Sequence, residues 1–297
     1  MREKNNNHAE APTYEYKREG QLADSWRRFR RNKGAIIGVL IVAVFLITAI
    51  AGPIFSPYSS DEGSLEDRIQ PPSWSHPLGT DDVGRDVLSR VIYGSWISLE
   101  IMLVSVITAL IIGAFLGLTG GYFGGMMDHL IMRIMDTMLA FPSIFLAIAI
   151  IAALGTGLVN VIIAVALFAV PQFARIMRAS VLSLKGLAFV EAARAAGESN
   201  LMIMVYHILP NALAPLIVQT TLSLTTVLLT ASGLSFLGLG VQPPAPEWGA
   251  MLAHGRNYLM VAPHVVTFPG LAIMLVAIGF NLLGDGLRDA LDPRLKE

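Results

Sequence analysis

Side chains able to do covalent chemistry are few in this chain and poorly placed for it. Six histidines (His8, His76, His129, His207, His254 and His264) show no His-x3-His or comparable spacing, so no zinc or other metal site is predicted. Cysteine is absent, which removes disulfides, thiolate metal ligands, iron–sulfur clusters and cysteine nucleophiles. Ser105, Ser143 and Ser223 lie inside apolar runs, but no histidine base or pair of acids sits at matching depth, as an intramembrane enzyme would need. A Gly-Lys-Ser/Thr phosphate loop is missing. The glycine cluster TGGYFGG at 119–125 is a weak nucleotide signal on its own and reads as a turn. No catalytic residue is predicted.

Two other sets of residues suggest mechanical work. Residues 189–196 read Phe-Val-Glu-Ala-Ala-Arg-Ala-Ala, mostly strong helix formers, with Glu191 and Arg194 at i,i+3 spacing. Gly197 follows where a helix would end in a left-handed turn. A second short helix is expected over 201–209, stopped by Pro210. This helix, glycine corner and helix occupy the connection 175–211, which is too long for a bare turn and is shaped to dock into a groove on a partner. An ordinary amphipathic surface loop is the plain alternative. The second set is Gln219, Thr220, Ser223 and Thr226 within the apolar stretch 212–231. Polar groups in lipid face the bundle interior or a water-filled path, so these are candidate translocation-path residues. Ser and Thr equally supply helix–helix hydrogen bonds. Glu100, after Trp96, is expected at the outer edge of the second span. Glu247, Trp248 and Arg256 would either meet an external protein or cap the outer face.

These groups must be positioned by elements that cross a membrane. The 297 residues are 54% apolar and 14% charged, where soluble chains carry about 25% charged residues. A span needs about 20 apolar residues. Six stretches without a charged residue qualify: 35–54, 101–118, 138–154, 158–174, 212–231 and 265–283. Their backbone amides must be satisfied within each segment, so they are helices. The predicted fold is an all-α membrane protein of six transmembrane helices. Its parts are a tail 1–33, a first span 34–55, an external loop 56–97, a five-helix core 98–285 carrying the connection 175–211, and a tail 286–297. Residues 1–20 lack apolar periodicity and are predicted to be disordered. A short basic helix is expected over 24–33, with Trp26 and Phe29 reaching the interface. Pro142 and Pro269 should kink their spans, and Gly113, Gly117, Gly270 and Gly279 permit close packing.

Lys and Arg set the orientation. Seventeen of the 21 lie on the side of the two termini, leaving only Arg68, Arg85, Arg90 and Arg256 opposite. Both termini are therefore expected in the cytoplasm. The first span is longer than the apolar core of a signal peptide and follows a long polar leader, so it reads as an uncleaved anchor. A net charge of −1 argues against nucleic acid as a partner.

At this level the chain resembles a known family. Glu191-Ala192-Ala193, Gly197 six residues on and Leu209-Pro210 match the EAA-loop pattern of ABC importer permeases, with His207 at a position that pattern usually fills with an aliphatic residue. The segment from His76-Pro77-Leu78-Gly79-Thr80-Asp81-Asp82 through Gly84-Arg85-Asp86 to Arg90 resembles the one before the second span in dipeptide, oligopeptide and nickel permeases. Ser235-Phe236-Leu237-Gly238, Glu247-Trp248-Gly249-Ala250-Met251 and Asn281 to Asp289 resemble later landmarks of that family.

The resemblance implies the type I ABC importer permease fold in a prokaryotic plasma (inner) membrane. It implies four partners: a sister permease that shares the translocation path, two cytoplasmic ATPases and an external solute-binding protein. It assigns no cofactor to this chain, with ATP and magnesium held by the ATPases. The ATPase-coupling set would be Glu191, Ala192, Ala193, Arg194, Gly197, Leu209 and Pro210, with Glu191 as polar handle, Ala192 and Ala193 as the close-contact face and Gly197 as the corner. A di- or oligopeptide is the expected cargo, nickel or another small solute the alternative. From another class, an ion-coupled secondary carrier would place carboxylates mid-membrane, and the six span interiors contain none.

Overall fold

A computed structural model describes residues 21–291 of the chain. The expectation for residues 1–20, and the end of the tail expected over 286–297, lie outside these residues. Eleven α-helices follow in order: α1 Gln21–Arg31, α2 Lys33–Phe55, α3 Val87–Phe123, α4 Gly125–Leu139, α5 Ser143–Leu154, α6 Leu158–Leu184, α7 Ala188–Ala195, α8 Asn200–Met202, α9 Leu213–Phe236, α10 Trp248–Gly255 and α11 His264–Leu291. Among the described residues the only β contacts are the isolated bridges Gly63–Arg85 and Thr80–Asp86.

Helices α2, α3, α6 and α11 are long and apolar enough to cross a bilayer, as is the rod from Asn200 to Phe236 that contains α9. The third expected span differs. Helices α4 and α5 meet at 94°, and α5 alone, 12 residues or about 18 Å, is too short to cross. Six crossings are reached only if that bent pair counts as one. Pro142 causes the break: it has no N–H to continue α4 and drives Phe141 out of helical geometry, then starts α5 as its N-cap residue.

The other corrections concern helix ends. Helix α3 begins at Val87, so residues 87–97 of the expected external loop are helical, and it runs through 119–123 of the expected turn to Gly124. Its start is set by Asp86, whose Oδ2 accepts the Ser89 N–H and hydroxyl at 2.7 Å. Glu100 therefore lies about four turns into a helix and is half-buried. Helix α11 likewise continues past the expected end of the core to Leu291.

Helices α3 and α6 pack closely and run parallel. Gly113, Gly117 and Gly121 make this possible: a Cβ at Gly113 would lie 2.7 Å from the Val170 carbonyl, and one at Gly117 2.3 Å from that of Ala174. Small residues at i,i+4 spacing let two backbones touch in lipid, where no hydrophobic drive holds helices together. Phe45 of α2 meets Phe280 of α11 edge-on at 6.2 Å. Asn32 joins the same pair from below: Oδ1 caps Ala35 of α2 and Nδ2 donates to Asp289 Oδ2 at 3.1 Å. Phe29, expected at the interface, is instead buried with Ala35 and Ala290, fixing α1 to α11. Trp26 stacks on it, 61% exposed. Both ends of the described chain thus share one face, here termed the terminal face. Ile47, Ile50 and Ile54 of α2 and Ile111 and Phe115 of α3 form an exposed apolar belt, suited to lipid.

Candidate coupling loop and translocation face

The connection after α6 lies on the terminal face. Lys185 Nζ donates to the Gly121 carbonyl at 3.1 Å, and the Tyr122 hydroxyl donates to Asn200 Oδ1 at 2.8 Å, so the loop is strung beneath the end of α3. Helix α7 turns Val190 and Ala193 inward, 0% and 6% exposed. Glu191, Ala192, Arg194 and Ala195 are exposed. Of the two alanines expected to share a contact face, Ala193 packs against its own chain, leaving Ala192 on the outward face with Glu191 and Arg194.

The corner forms as expected. Gly197 has φ +83°, its N–H bonds the Arg194 carbonyl at 3.1 Å, and the Glu198 N–H bonds that of Ala193 at 3.2 Å. This paired ending satisfies carbonyls the helix would otherwise orphan. Beyond the corner the expected short helix does not stop. Ser199 accepts the Met202 N–H at 3.3 Å, and the chain runs through α8, a π-helical stretch Ile203–Ile208 and a 3₁₀ turn Pro210–Ala212 into α9. The Leu209 N–H reaches back to the Met204 carbonyl at 2.9 Å, a five-residue step. Proline cannot close the normal ladder and collides with the carbonyl four residues before it, and the wider turn relieves both. Leu209 and Pro210 are thus internal to one rod, Asn200–Phe236.

That rod carries the candidate path residues. Gln219 lines an open cavity of about 560 Å³ near the terminal face, with Asn211, Pro215, Val218, Leu222 and Arg288. Its amide Nε2 donates to Gln172 Oε1 on α6 and to Ser223 Oγ, both at 3.0 Å. Ser223 is buried, Thr220 half-buried and Thr226 exposed. Thr220 bonds the Leu216 carbonyl in its own helix at 2.8 Å. The four therefore divide: Gln219 faces the cavity, Thr220 and Ser223 are engaged within their own rod, and Thr226 is exposed.

A sequence model of the family described as binding-protein-dependent transport system inner membrane component matches residues 87–297. A second, the N-terminal transmembrane domain of oligopeptide transport permease C, matches residues 20–72. The chain belongs to this permease family. It is 48% identical over 285 residues to the dipeptide transport system permease protein DppC of Alkalihalophilus pseudofirmus, covering 96% of this chain and 94% of that one. It is 48% identical over 281 residues to the di/tripeptide transport system permease protein DppC of Pseudomonas aeruginosa, covering 93% of each. Against the glutathione transport system permease protein GsiD of Escherichia coli the identity is 48% over 272 residues, covering 91% of this chain and 90% of that one. Among solved structures, the inward-facing MetNI methionine ABC transporter matches with a TM-score of 0.55 at 21% identity, covering 68% of this chain and 96% of the other. That likeness shows a shared ABC importer permease fold.

On the face opposite the termini, the landmark residues of the permease turn out to be structural. His76 Nδ1 meets Asp86 Oδ1 at 3.0 Å. Asp81 receives Arg85 Nε at 2.7 Å and lies 3.6 Å from Arg90, which itself donates to the Ser60 carbonyl at 2.7 Å. Trp248 is buried and donates its indole N–H to the Val91 carbonyl at 3.0 Å. Glu247 caps α10, accepting the Gly249 and Ala250 N–H groups at 2.9 and 2.8 Å. Burial pushes its carboxyl above the usual carboxylate range, and those two bonds pull the other way. Of the three residues considered for an external contact, only Arg256 is exposed, and it lies 5.4 Å over the Phe236 ring.

Sequence reasoning missed two ion pairs that pin the bent pair to α6. Arg178 grips Asp128 with two bonds of 2.6 Å, and Arg175 meets Asp136 at 2.5 Å. The signal was present as two acids eight apart and two arginines three apart, each on one side of its helix. The packing of α4 against α6 brings them together.

Proposed function

We propose that this permease is one half of the translocation path of an ATP-binding-cassette importer for di- or oligopeptides. It would contribute no catalytic residue and would couple cargo movement to ATP hydrolysis by two separate ATPase subunits. The observation carrying this reading is the continuity of the loop with the path. Helix α7 presents Glu191, Ala192 and Arg194 outward on the terminal face, and the corner at Gly197 leads into a single rod whose middle, at Gln219, lines the cavity. A partner gripping α7 therefore holds the end of the helix that lines the path. Coupling requires such an element with two positions, biased by both ATP and cargo.

The distribution of Lys and Arg supports a cytoplasmic terminal face in a prokaryotic inner membrane, where ATP is available. The opposite face would then receive a solute-binding protein, and a sister permease would close the other side of the path. The peptide assignment rests on relatives named for dipeptide, di/tripeptide and glutathione transport. Cargo is read by purifying the importer with its binding protein and measuring ligand binding to the latter. Tight peptide binding supports the assignment, and selective nickel binding replaces it.

Coupling is tested with Glu191→Ala and Gly197→Pro in the reconstituted importer. Proline cannot adopt the positive φ of the corner. Uptake per ATP hydrolysed should fall at least about fivefold in each, the low end of ordinary coupling energies, with membrane insertion unchanged. Normal uptake and normal ATPase association in both variants would remove the role from the loop.

A further inference from the structure

The corner that must carry force is soft by construction. Gly197 has no side chain, and beyond its chain neighbours no atom lies within 4 Å of where a Cβ would sit, so no side-chain packing at the glycine itself resists bending. Helix α7 could then swing when pushed while the rod behind it stayed still. Val190 and Ala193, packed inward, oppose this along α7, and one polar side-chain contact opposes it at the corner itself. Glu198, the residue after the glycine, places Oε2 2.8 Å from His207 Nε2. Both residues lie beyond Gly197, and the contact reaches α7 through the Glu198 N–H, which bonds the Ala193 carbonyl across the glycine at 3.2 Å, so that the side chain ties this bonded corner to the π-helical stretch. His207 is held in turn from below, because Asn211 Nδ2 donates to its carbonyl at 2.7 Å at the turn where Pro210 interrupts the ladder.

We propose that Glu198 and His207 are positioning residues for energy coupling: their side chains form a brace that fixes the angle between α7 and the rod, so that displacement of α7 reaches the path rather than being absorbed at Gly197. The inference rests on the coupling role proposed above. It accounts for an imidazole at a position where the EAA pattern usually carries an aliphatic side chain, since an aliphatic group gives Glu198 no partner. It also explains why the pair, with both side chains about one-third exposed, matters despite the small stability expected of exposed pairs. Its value is angular, and a hydrogen bond that lapses part of the time leaves the joint free to flex.

The test measures peptide imported per ATP hydrolysed in the reconstituted importer, counted per assembled complex, for Glu198→Ala and Glu198→Gln. Alanine removes the brace; glutamine keeps a hydrogen bond to the imidazole at nearly the same length. Glu198→Ala should lower the ratio about threefold or more while ATP hydrolysis continues, and Glu198→Gln should restore it to within about twofold of the wild type, as expected when a charged hydrogen-bond partner is replaced by a neutral one. Full coupling in Glu198→Ala overturns the proposal, and so does equal impairment in both variants. Glu191→Ala run in parallel separates the two claims. If it uncouples while Glu198→Ala does not, only the brace fails; if neither uncouples, the coupling role of the loop fails with it.

Discussion

The two ends of the permease carry the same backbone device in opposite surroundings. On the face away from the termini, Gly84 has φ +78° and is so tightly enclosed that a Cβ would lie 1.8 Å from the Ser64 carbonyl oxygen. Around it, Asp81, Asp86, Arg85, Arg90, His76 and Glu247 are all engaged with partners, and Trp248 is wedged below. On the terminal face, Gly197 has φ +83°, and nothing beyond its chain neighbours lies within 4 Å of where a Cβ would sit. The first is a lock and the second a joint. The family landmarks on the far face thus build a rigid cap holding α2, α3 and α10 together. The landmarks of the 189–197 loop instead leave Glu191 and Arg194 exposed.

The sharpest way to break this contrast is to place a Cβ on both glycines. Gly84→Ala should cost about 4 kcal/mol or more, backbone strain plus a collision with fixed backbone, seen as a large fall in the thermal midpoint of the purified permease complex or loss of its assembly. If the cap tolerates it, the cap is not rigid. Next in size is Asp128→Ala at the join between α4 and α6. It strands a partly buried guanidinium and should cost about 1–3 kcal/mol, measured as a lower thermal midpoint, while Arg178→Lys, which loses the two-pronged grip, should fall between it and the wild type.

A smaller effect distinguishes the cap by pH. The Glu247 carboxyl is held above its ordinary range by burial, so the folded cap binds its proton more tightly than the unfolded chain does. Stability from this group is therefore greatest below the unfolded value of about 4.3, declines as pH rises from there towards the raised folded value, and is level above it. Glu247→Gln should flatten that part of the melting-versus-pH curve, and an unchanged slope would mean that the carboxylate is solvated. Smallest of all is Gly197→Ala, which meets strain but no neighbour and should cost about 1 kcal/mol in the same thermal assay. A cost matching that of Gly84→Ala would show the joint to be as enclosed as the lock.

Much of the fold was legible because lipid imposes a crude rule, about 20 apolar residues per crossing, and the expected spans coincide with observed helices except the third, which breaks at Pro142. Helix ends were not legible from that rule. Hydropathy reports where lipid lies, whereas helices stop where capping groups and glycines stop them. Asp86 starts α3 well before its apolar run, and Gly124 ends it well after. Pro210 illustrates the opposite error. A proline was expected to end the helix before it; the π-helical stretch does end at Ile208, but a 3₁₀ turn begins at Pro210 and carries the rod on into α9, with the wide π turn relieving the proline's clash. Pro142, the same residue type, breaks its chain by 94°, and the two ion pairs to α6 hold the break.

The candidate site divides in the same manner. Helix, corner and handle over 189–197 followed from local chemistry, since Ala and Glu favour helix and Gly alone turns freely to positive φ. Which alanine faces outward did not, because Ala192 and Ala193 are identical until the rest of the chain buries one of them. The sequence by itself determined a helical membrane protein with a polar helix and glycine corner on the side of its termini, since apolar length, basic-residue placement and glycine position act locally, and its motifs carried the resemblance to the permease family. Only the tertiary structure decided that the handle continues into the helix lining the cavity, that Gln219 and not Ser223 faces that space, and that Glu198 meets His207. Those are contacts between side chains far apart along the chain or turned about a shared axis, and no local rule of spacing specifies them.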